Sequence, residues 1–210
     1  MKLLTIAAVT AFCFGSLALI AHSNASPSNP ELTKVQTMTT TTSPDLENTL
    51  YLDVPYGRVV IELFPDVAPK HVEQIKTLTR KGFYNGIVFH RVIDGFMAQT
   101  GDPTGTGTGG SDLPNIVAEF NKKDFGRGAI GMARSASPNS GNSQFFICFD
   151  DCSFLNGQYT VWGQVTSGME FVDQIKRGEP PANPDKIVKM IVAADENAEA
   201  SKEAPKAAAQ

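Results

Sequence analysis

The sequence predicts an all-β-dominated domain of seven or eight short antiparallel strands with two helices, and three observations lead there. Leu50, Leu52 and Val54 alternate with polar neighbours before Pro55-Tyr56-Gly57, and Val59, Ile61 and Leu63 alternate after it, the pattern of a β-hairpin buried on one face. Only two stretches show the wider apolar spacing of helices. The 13 Phe, 18 Gly and 13 Pro interleave aromatic side chains with short turns, which suits a β body rather than a helical bundle. At 210 residues the chain holds one domain with a substantial core, plus tails.

After the hairpin, Asp66 to Lys81 reads as the first helix. Pro69 stands near its start, Val72, Ile75 and Leu78 recur at spacings of three, and Gly82 is placed to stop it. Ile87 to Val92 follows as a strand whose period of two sends Phe89, Arg91 and Ile93 to one face and Val88, His90 and Val92 to the other. A Gly/Thr-rich loop spans Gly101 to Gly110. Gly128 to Ala133 suits a strand thinned by glycines where a neighbouring backbone comes close. In Gln144 to Phe149, residues Gln144, Phe146 and Cys148 alternate with Phe145, Ile147 and Phe149, and Thr160 to Val165 makes another strand beyond the Asn156-Gly157 loop. Ser167 and Glu170 form a capping box ahead of Phe171, Val172 and Ile175, so a second helix is expected to run to Gly178. Pro180, Pro181 and Pro184 forbid its continuation, and Lys186 to Val192 supplies a closing strand. Such a count fits a small closed barrel with a helix at each end, and on these grounds alone a sandwich fits too.

The flanks are of a different kind. Met1-Lys2 and the apolar run from Leu3 to Ile20, with small residues at Ser23-Asn24-Ala25, read as a secretory signal over residues 1–25; an uncleaved membrane anchor is the competing reading. Residues 26–47, rich in Ser, Thr and Pro, read as a flexible spacer, and the Ala/Glu/Lys stretch 195–210 as a disordered tail. That leaves the domain at 48–194, exported and most simply periplasmic. Cys148 and Cys152 are the thiols of this domain. An oxidising compartment would permit them to pair, but an extended strand carries residues four apart to about 13 Å, beyond disulfide reach. Pairing would need a sharp bend at Asp150-Asp151, so two free cysteines are the favoured expectation.

Several functions are excluded or left without support. A formal charge of −4 with pI near 5.4 and no basic stripe argues against a nucleic-acid binder. The glycines from 105 to 110 lack the Lys-Ser/Thr of a phosphate loop, and Gly141-Asn142-Ser143-Gln144-Phe145 fails the last position of a serine-hydrolase elbow. His22, His71 and His90 show no zinc-ligand spacing, so no metal and no cofactor are expected. The chemistry concentrates instead in Phe89-His90-Arg91-Val92-Ile93-Asp94-Gly95-Phe96-Met97-Ala98-Gln99, where one guanidinium stands among large apolar side chains. Taken alone, Arg91 would be a surface arginine lying over apolar neighbours.

The blocks FHRVIDGFMAQTGD, GTGTGG, MARSASPNSGNSQFFI and FLNGQYTVWGQV, in that order between about Leu50 and Ala194, resemble the signature blocks of the cyclophilin peptidyl-prolyl isomerases. The resemblance decides for a closed eight-stranded antiparallel barrel capped by two α-helices, its interior packed and its substrate groove on the outer surface. It implies that Arg91 is the catalytic residue. Phe96, Met97, Phe146 and Leu155 would wall a proline pocket, and Gln99 and Gln144 would hold substrate and arginine. Ala133 and Arg134 would offer backbone to the peptide, with Gly107 at the loop edge of a neighbouring pocket. Phe154 stands where the best-known eukaryotic members have Trp, and Tyr159 where they have His, which implies activity with weakened cyclosporin binding. The implied partners are unfolded or flexible proline-containing polypeptides, met by a monomer. A proline-peptide binding module or chaperone that depends little on turnover is the rival. His90, facing away from Arg91, is read as a hydrogen-bonded structural histidine, and Phe145, Phe149 and Trp162 as core.

Overall fold

The computed structural model describes residues 45–196. The expected export segment, nearly all of the spacer and the tail beyond Glu196 lie outside the described residues. Eight strands form one sheet: β1 (Thr49–Val54), β2 (Gly57–Leu63), β3 (Arg91–Ile93), β4 (Met97–Thr100), β5 (Ala129–Met132), β6 (Phe145–Cys148), β7 (Val161–Ser167) and β8 (Lys189–Val192). Their order is β3-β4-β6-β5-β7-β2-β1-β8, and every pairing is antiparallel. The predicted hairpin is β1–β2, with Leu50, Leu52, Val54, Val59, Ile61 and Leu63 all buried.

The sheet curls, but β3 and β8 form no ladder with each other. Backbone groups of the segment before β8 close the seam instead. Val92 and Gly178 exchange two hydrogen bonds of 2.8 Å, Phe89 N–H reaches the Asp185 carbonyl at 2.9 Å, and Ile187 N–H reaches that of Ile87 at 2.9 Å. The expected closed barrel is thus a curled sheet whose edges are tied by isolated bridges. Lys186 and Ile187, read as the start of the closing strand, belong to this seam, while the Val188 N–H already bonds the Asp53 carbonyl of β1 at 2.8 Å.

Helix α1 (Pro69–Arg80) buries Val72, Ile75 and Leu78 and packs beside β8. Helix α2 (Met169–Val172) departs from expectation. Strand β7 runs on through Ser167, so Gly168 takes the cap position at φ +86 and no side chain caps the helix. Its carbonyl accepts the Phe171 N–H at 3.0 Å. A Cβ at residue 168 would stand 2.4 Å from the Arg58 carbonyl oxygen, so close packing on β2, not a capping box, sets this start. The helix also stops at Val172, well short of Gly178.

Both flanks of the domain are tied to α1. Arg80 bonds Glu47 in the 3-10 turn Leu46–Asn48 and Asp195 in the turn Ala193–Asp195, each at 2.8 Å. The packed structure therefore includes residues just beyond 48 and 194.

The alternation of β6 divides the apolar residues in two. Phe145, Ile147 and Phe149 join Trp162, Leu50 and Ile61 in the interior core. Phe146 and Cys148 face the other way and join Met97, Phe125, Cys152 and Val161 in a second cluster. Both cysteines are free and buried, as expected. Gly131 of β5 lies in this second cluster's path. A Cβ there would come within 2.4 Å of the Phe146 ring and 2.5 Å of Phe125, so the close neighbours that demand glycine are aromatic rings rather than backbone.

Candidate functional site

Strand register builds the site. Arg91 of β3 pairs with Gln99 of β4, Gln99 with Phe146 of β6, and Phe146 with Gly131 of β5, so these residues form one row across the sheet. Two residues along, Ile93, Met97 and Cys148 form a parallel row on the same face. The intervening row of Val92, Ala98, Ile147 and Ile130 belongs to the interior core or packs on it. The outward face therefore carries one half-exposed guanidinium beside an apolar floor, with Phe146 4% and Met97 1% exposed.

The expected partnership of Phe89 with Arg91 fails. Only Arg91–Ile93 is strand; residues 87–90 form a seam with an isolated bridge, and Phe89 is fully buried in the interior core. His90 is buried as well, and neither ring nitrogen meets a hydrogen-bond partner among the described residues, contrary to the expected bonded histidine. Burial holds its pKa below the ordinary value of 6.5, against the opposing pull of the Asp102 charge. A buried neutral imidazole of this kind is no base for a groove on the outer face.

An amide ladder flanks the row. Gln99 Nε2 donates to Gln144 Oε1 at 2.9 Å, and Gln144 Nε2 donates to the carbonyls of Gly109 and Gly107 at 2.7 and 3.1 Å. The two loop carbonyls fix which way the Gln144 amide points. Asp102, 1% exposed, organises the loop in turn: its carboxylate accepts the backbone N–H groups of Thr104, Thr106, Gly107 and Gly109 and the Thr104 hydroxyl. Burial works to raise its pKa, but these donors outweigh burial and hold it at about 2. Sequence reading passed over Asp102, although an Asp opening a Thr/Gly-rich turn is a known signal for such side-chain-to-backbone bonding. Gly101, at φ +88, turns the chain into this loop; a Cβ there would lie 2.3 Å from the Ser143 carbonyl oxygen.

Aromatic rings surround Phe146. Its ring stacks on Phe125 with centroids 5.6 Å apart and meets Tyr159 edge-on at 5.9 Å. Phe96, Leu155 and Ala133 pack partly buried around the same cluster. Phe154 is 61% exposed and leans on Phe96 at 5.3 Å, which puts it at the rim. Beyond Met132, where β5 ends, the chain runs on extended. Ala133 N–H bonds the Gln144 carbonyl at 3.0 Å, whereas the Ala133 carbonyl and the Arg134 N–H bond no backbone group among the described residues. These two free backbone groups suit pairing with an extended peptide.

Arg91 Nε donates to Glu179 at 2.8 Å, a contact no local pattern announced, because Glu179 sits in a Gly/Pro stretch that reads only as a break. Among the described residues no group of His, Cys, Asp and Glu is placed to hold a metal ion.

An apolar cluster on the outer face of a curled β-sheet, with unpaired backbone groups at Ala133 and Arg134 and a guanidinium in the same row as Phe146, suits an enzyme that handles peptide chains. Comparison supplies the family. Residues 49–192 match the family described as cyclophilin type peptidyl-prolyl cis-trans isomerase/CLD. A "Probable peptidyl-prolyl cis-trans isomerase" of Brucella suis is 55% identical over 172 residues, covering 74% of this chain and 88% of that protein. A peptidyl-prolyl cis-trans isomerase of Helicobacter pylori is 46% identical over 59% of this chain and 77% of its own. The solved cyclophilin AquaCyp293 from Hirschia baltica superposes with a TM-score of 0.67 at 31% identity, covering 72% of this chain and 76% of that one. A Cryptosporidium parvum cyclophilin-type isomerase, crystallised in the presence of the dipeptide Ala-Pro, superposes at 0.64 with 30% identity, covering 69% and 98%. The chain belongs to the cyclophilin family of peptidyl-prolyl cis-trans isomerases.

Proposed function

We propose that Arg91 is the catalytic residue of this isomerase and that the enzyme acts on proline-containing chains after export. Twisting a prolyl peptide bond breaks amide resonance against a barrier of about 18–20 kcal/mol. In the twisted state the nitrogen regains its lone pair and the carbonyl loses negative charge, so a donor aimed at the nitrogen favours that state over either planar one. A guanidinium presents fixed donors and stays charged across biological pH. The apolar floor of Phe146 and Met97 adds to this by displacing water that would stabilise the planar carbonyl. The carrying observation is the row that sets Arg91 beside Gln99 and Phe146 on the outward face.

Glu179 takes the Nε of Arg91, and the terminal nitrogens are the donors this reading assigns to substrate. Gln99 and Gln144 hold the peptide, Ala133 and Arg134 lend it backbone, and Gly107 edges the neighbouring cavity. Phe154, at the rim where an indole N–H would supply a donor, weakens cyclosporin binding. Prolyl cis–trans exchange measured by NMR on a short peptide is expected to accelerate with a rate constant flat from about pH 6 to 8 and to respond weakly to cyclosporin. A step near pH 6.5 would instead indict a histidine.

Export is supported by the apolar run Leu3 to Ile20 ahead of Ser23-Asn24-Ala25. Among the described residues no helix is long and apolar enough to cross a membrane. Mass spectrometry of the N-terminus of the protein recovered from the periplasm is expected to find the chain beginning near Ser26; an intact Met1 in a membrane fraction would favour anchoring.

A further inference from the structure

Arg134 is the one arginine without a carboxylate among the described residues. Arg58, Arg80, Arg91, Arg127 and Arg177 each pair with at least one acid at 3.0 Å or less. Arg134 is nonetheless held firmly. Its Nε and Nη2 donate to the Gln158 carbonyl at 3.2 and 3.0 Å, its Nη1 donates to the Ser135 carbonyl at 2.9 Å, and its guanidinium lies 4.4 Å from the centroid of the Tyr159 ring. The loop beneath it is tied by Ser140, whose Oγ accepts the Ser135 N–H at 2.9 Å and donates to the Ser137 carbonyl at 2.7 Å. These bonds leave one N–H on each terminal nitrogen, enough to take both oxygens of a carboxylate.

Arg134 is one of the residues lining an open cavity of about 540 Å³ that also takes in Thr108, Ser135, Ser140 and Asn142 and has no acidic residue in its lining. Gln99 and Gln144 of the amide ladder form its inner wall, so cavity and groove are continuous. Tyr159 stands between Arg134 and Phe146, and ring contacts of 4.4 and 5.9 Å put the guanidinium within about three residues' reach along an extended peptide at about 3.3 Å per residue. At the other end of the groove Glu179 already answers Arg91. One end of the site is paired with an acid, and the other holds a fixed positive charge with no carboxylate at ion-pair distance among the described residues.

We propose that Arg134 makes this cavity a subsite for an acidic side chain flanking the proline, so that the isomerase prefers aspartate or glutamate at one position of its substrate. The proposal rests on the groove binding proline peptides as read above, and adds which peptides it selects. It is tested with alanine-based peptides carrying a single proline and Glu, Ala or Lys in turn at each of three positions on either side. Binding by NMR titration and cis–trans exchange are both measured, with wild type, Arg134→Ala, Arg134→Glu and Arg134→Lys. Wild type is expected to bind the Glu peptide roughly three- to tenfold more tightly than the Lys peptide at one position. The ratio should fall to about one in Arg134→Ala, invert in Arg134→Glu, survive in part in Arg134→Lys, and shrink at about 1 M salt. The Glu-to-Lys ratio, not the rate, is what is read.

Wild type that accelerates exchange in all peptides without charge preference sinks this proposal and leaves the isomerase reading standing. A preference that persists in Arg134→Ala overturns it too. Preferential binding of the Glu peptide with no acceleration of exchange sustains it and sinks the assignment of catalysis.

Discussion

Replacing Arg91 with alanine is expected to lower kcat/KM for a prolyl peptide by roughly two to three orders of magnitude, the usual loss when a preorganised donor to the transition state is removed. Folding should survive. The side chain is 41% exposed, and its pairing with Glu179, itself half-exposed, contributes at most about 1 kcal/mol. Unfolding midpoints of the two proteins should therefore agree closely while their exchange rates diverge. Arg91→Lys restores charge but not the planar fork, so it should recover only part of the rate. Because the donor is needed in the twisted state more than in either planar one, the deficit should fall mainly on kcat. If wild type and Arg91→Ala catalyse exchange equally, the groove is a binding module and the guanidinium has no chemical role.

Which parts of this site could be read from residues, and which could not, follows from what fixes each one. The β1–β2 hairpin and the alternation of β6 are legible because each strand separates two different environments, so burial is written into the sequence with a period of two. Residues 87–90 break the rule because burial there does not alternate: only Val88 is partly exposed, while Ile87, Phe89 and His90 are all buried. Phe89 is covered by the core and His90 is buried beside Gly107, whose Cβ position would lie 3.6 Å from its ring, so alternation there carries no information about Arg91. The start of α2 is set by contact of Gly168 with the Arg58 carbonyl, a tertiary fact that overrides a plausible Ser-x-x-Glu pattern. Glu179 reaches Arg91 across the seam, 88 residues away in the chain. The site residues themselves were found through signature blocks, since a guanidinium among apolar side chains has a commonplace explanation until register places Gln99 and Phe146 beside it.

The second large effect belongs to Asp102, which touches no substrate. Asp102→Asn offers one neutral acceptor where a carboxylate met four backbone N–H groups and a hydroxyl, and turns an NH₂ toward donors. At least two donors lose a charged acceptor, but they sit on exposed or half-buried residues that water can reach, so a loss of about 2 kcal/mol is expected. In a domain of this size that lowers Tm by about 4–8 °C. Activity should fall with it, because the Gly107 and Gly109 carbonyls that orient Gln144, and through it Gln99, belong to the same loop. The pH dependence separates this account from simple overcrowding. With a folded pKa of about 2, below the unfolded value near 3.8, the carboxylate stabilises the fold fully above about pH 5, and that contribution of about 2 kcal/mol fades as pH falls toward 2. Burial lowers the pKa of His71 despite Glu119, while the bonds from His71 and the Lys70 N–H outweigh burial and lower that of Glu119, so both also cost stability in acid. Those losses are common to wild type and variant. Urea unfolding of the two proteins should therefore show a gap that is constant between about pH 5 and 7 and narrower by about 1 kcal/mol at pH 3. A gap that stays constant down to pH 3 would mean that the charge on Asp102 does not hold the loop.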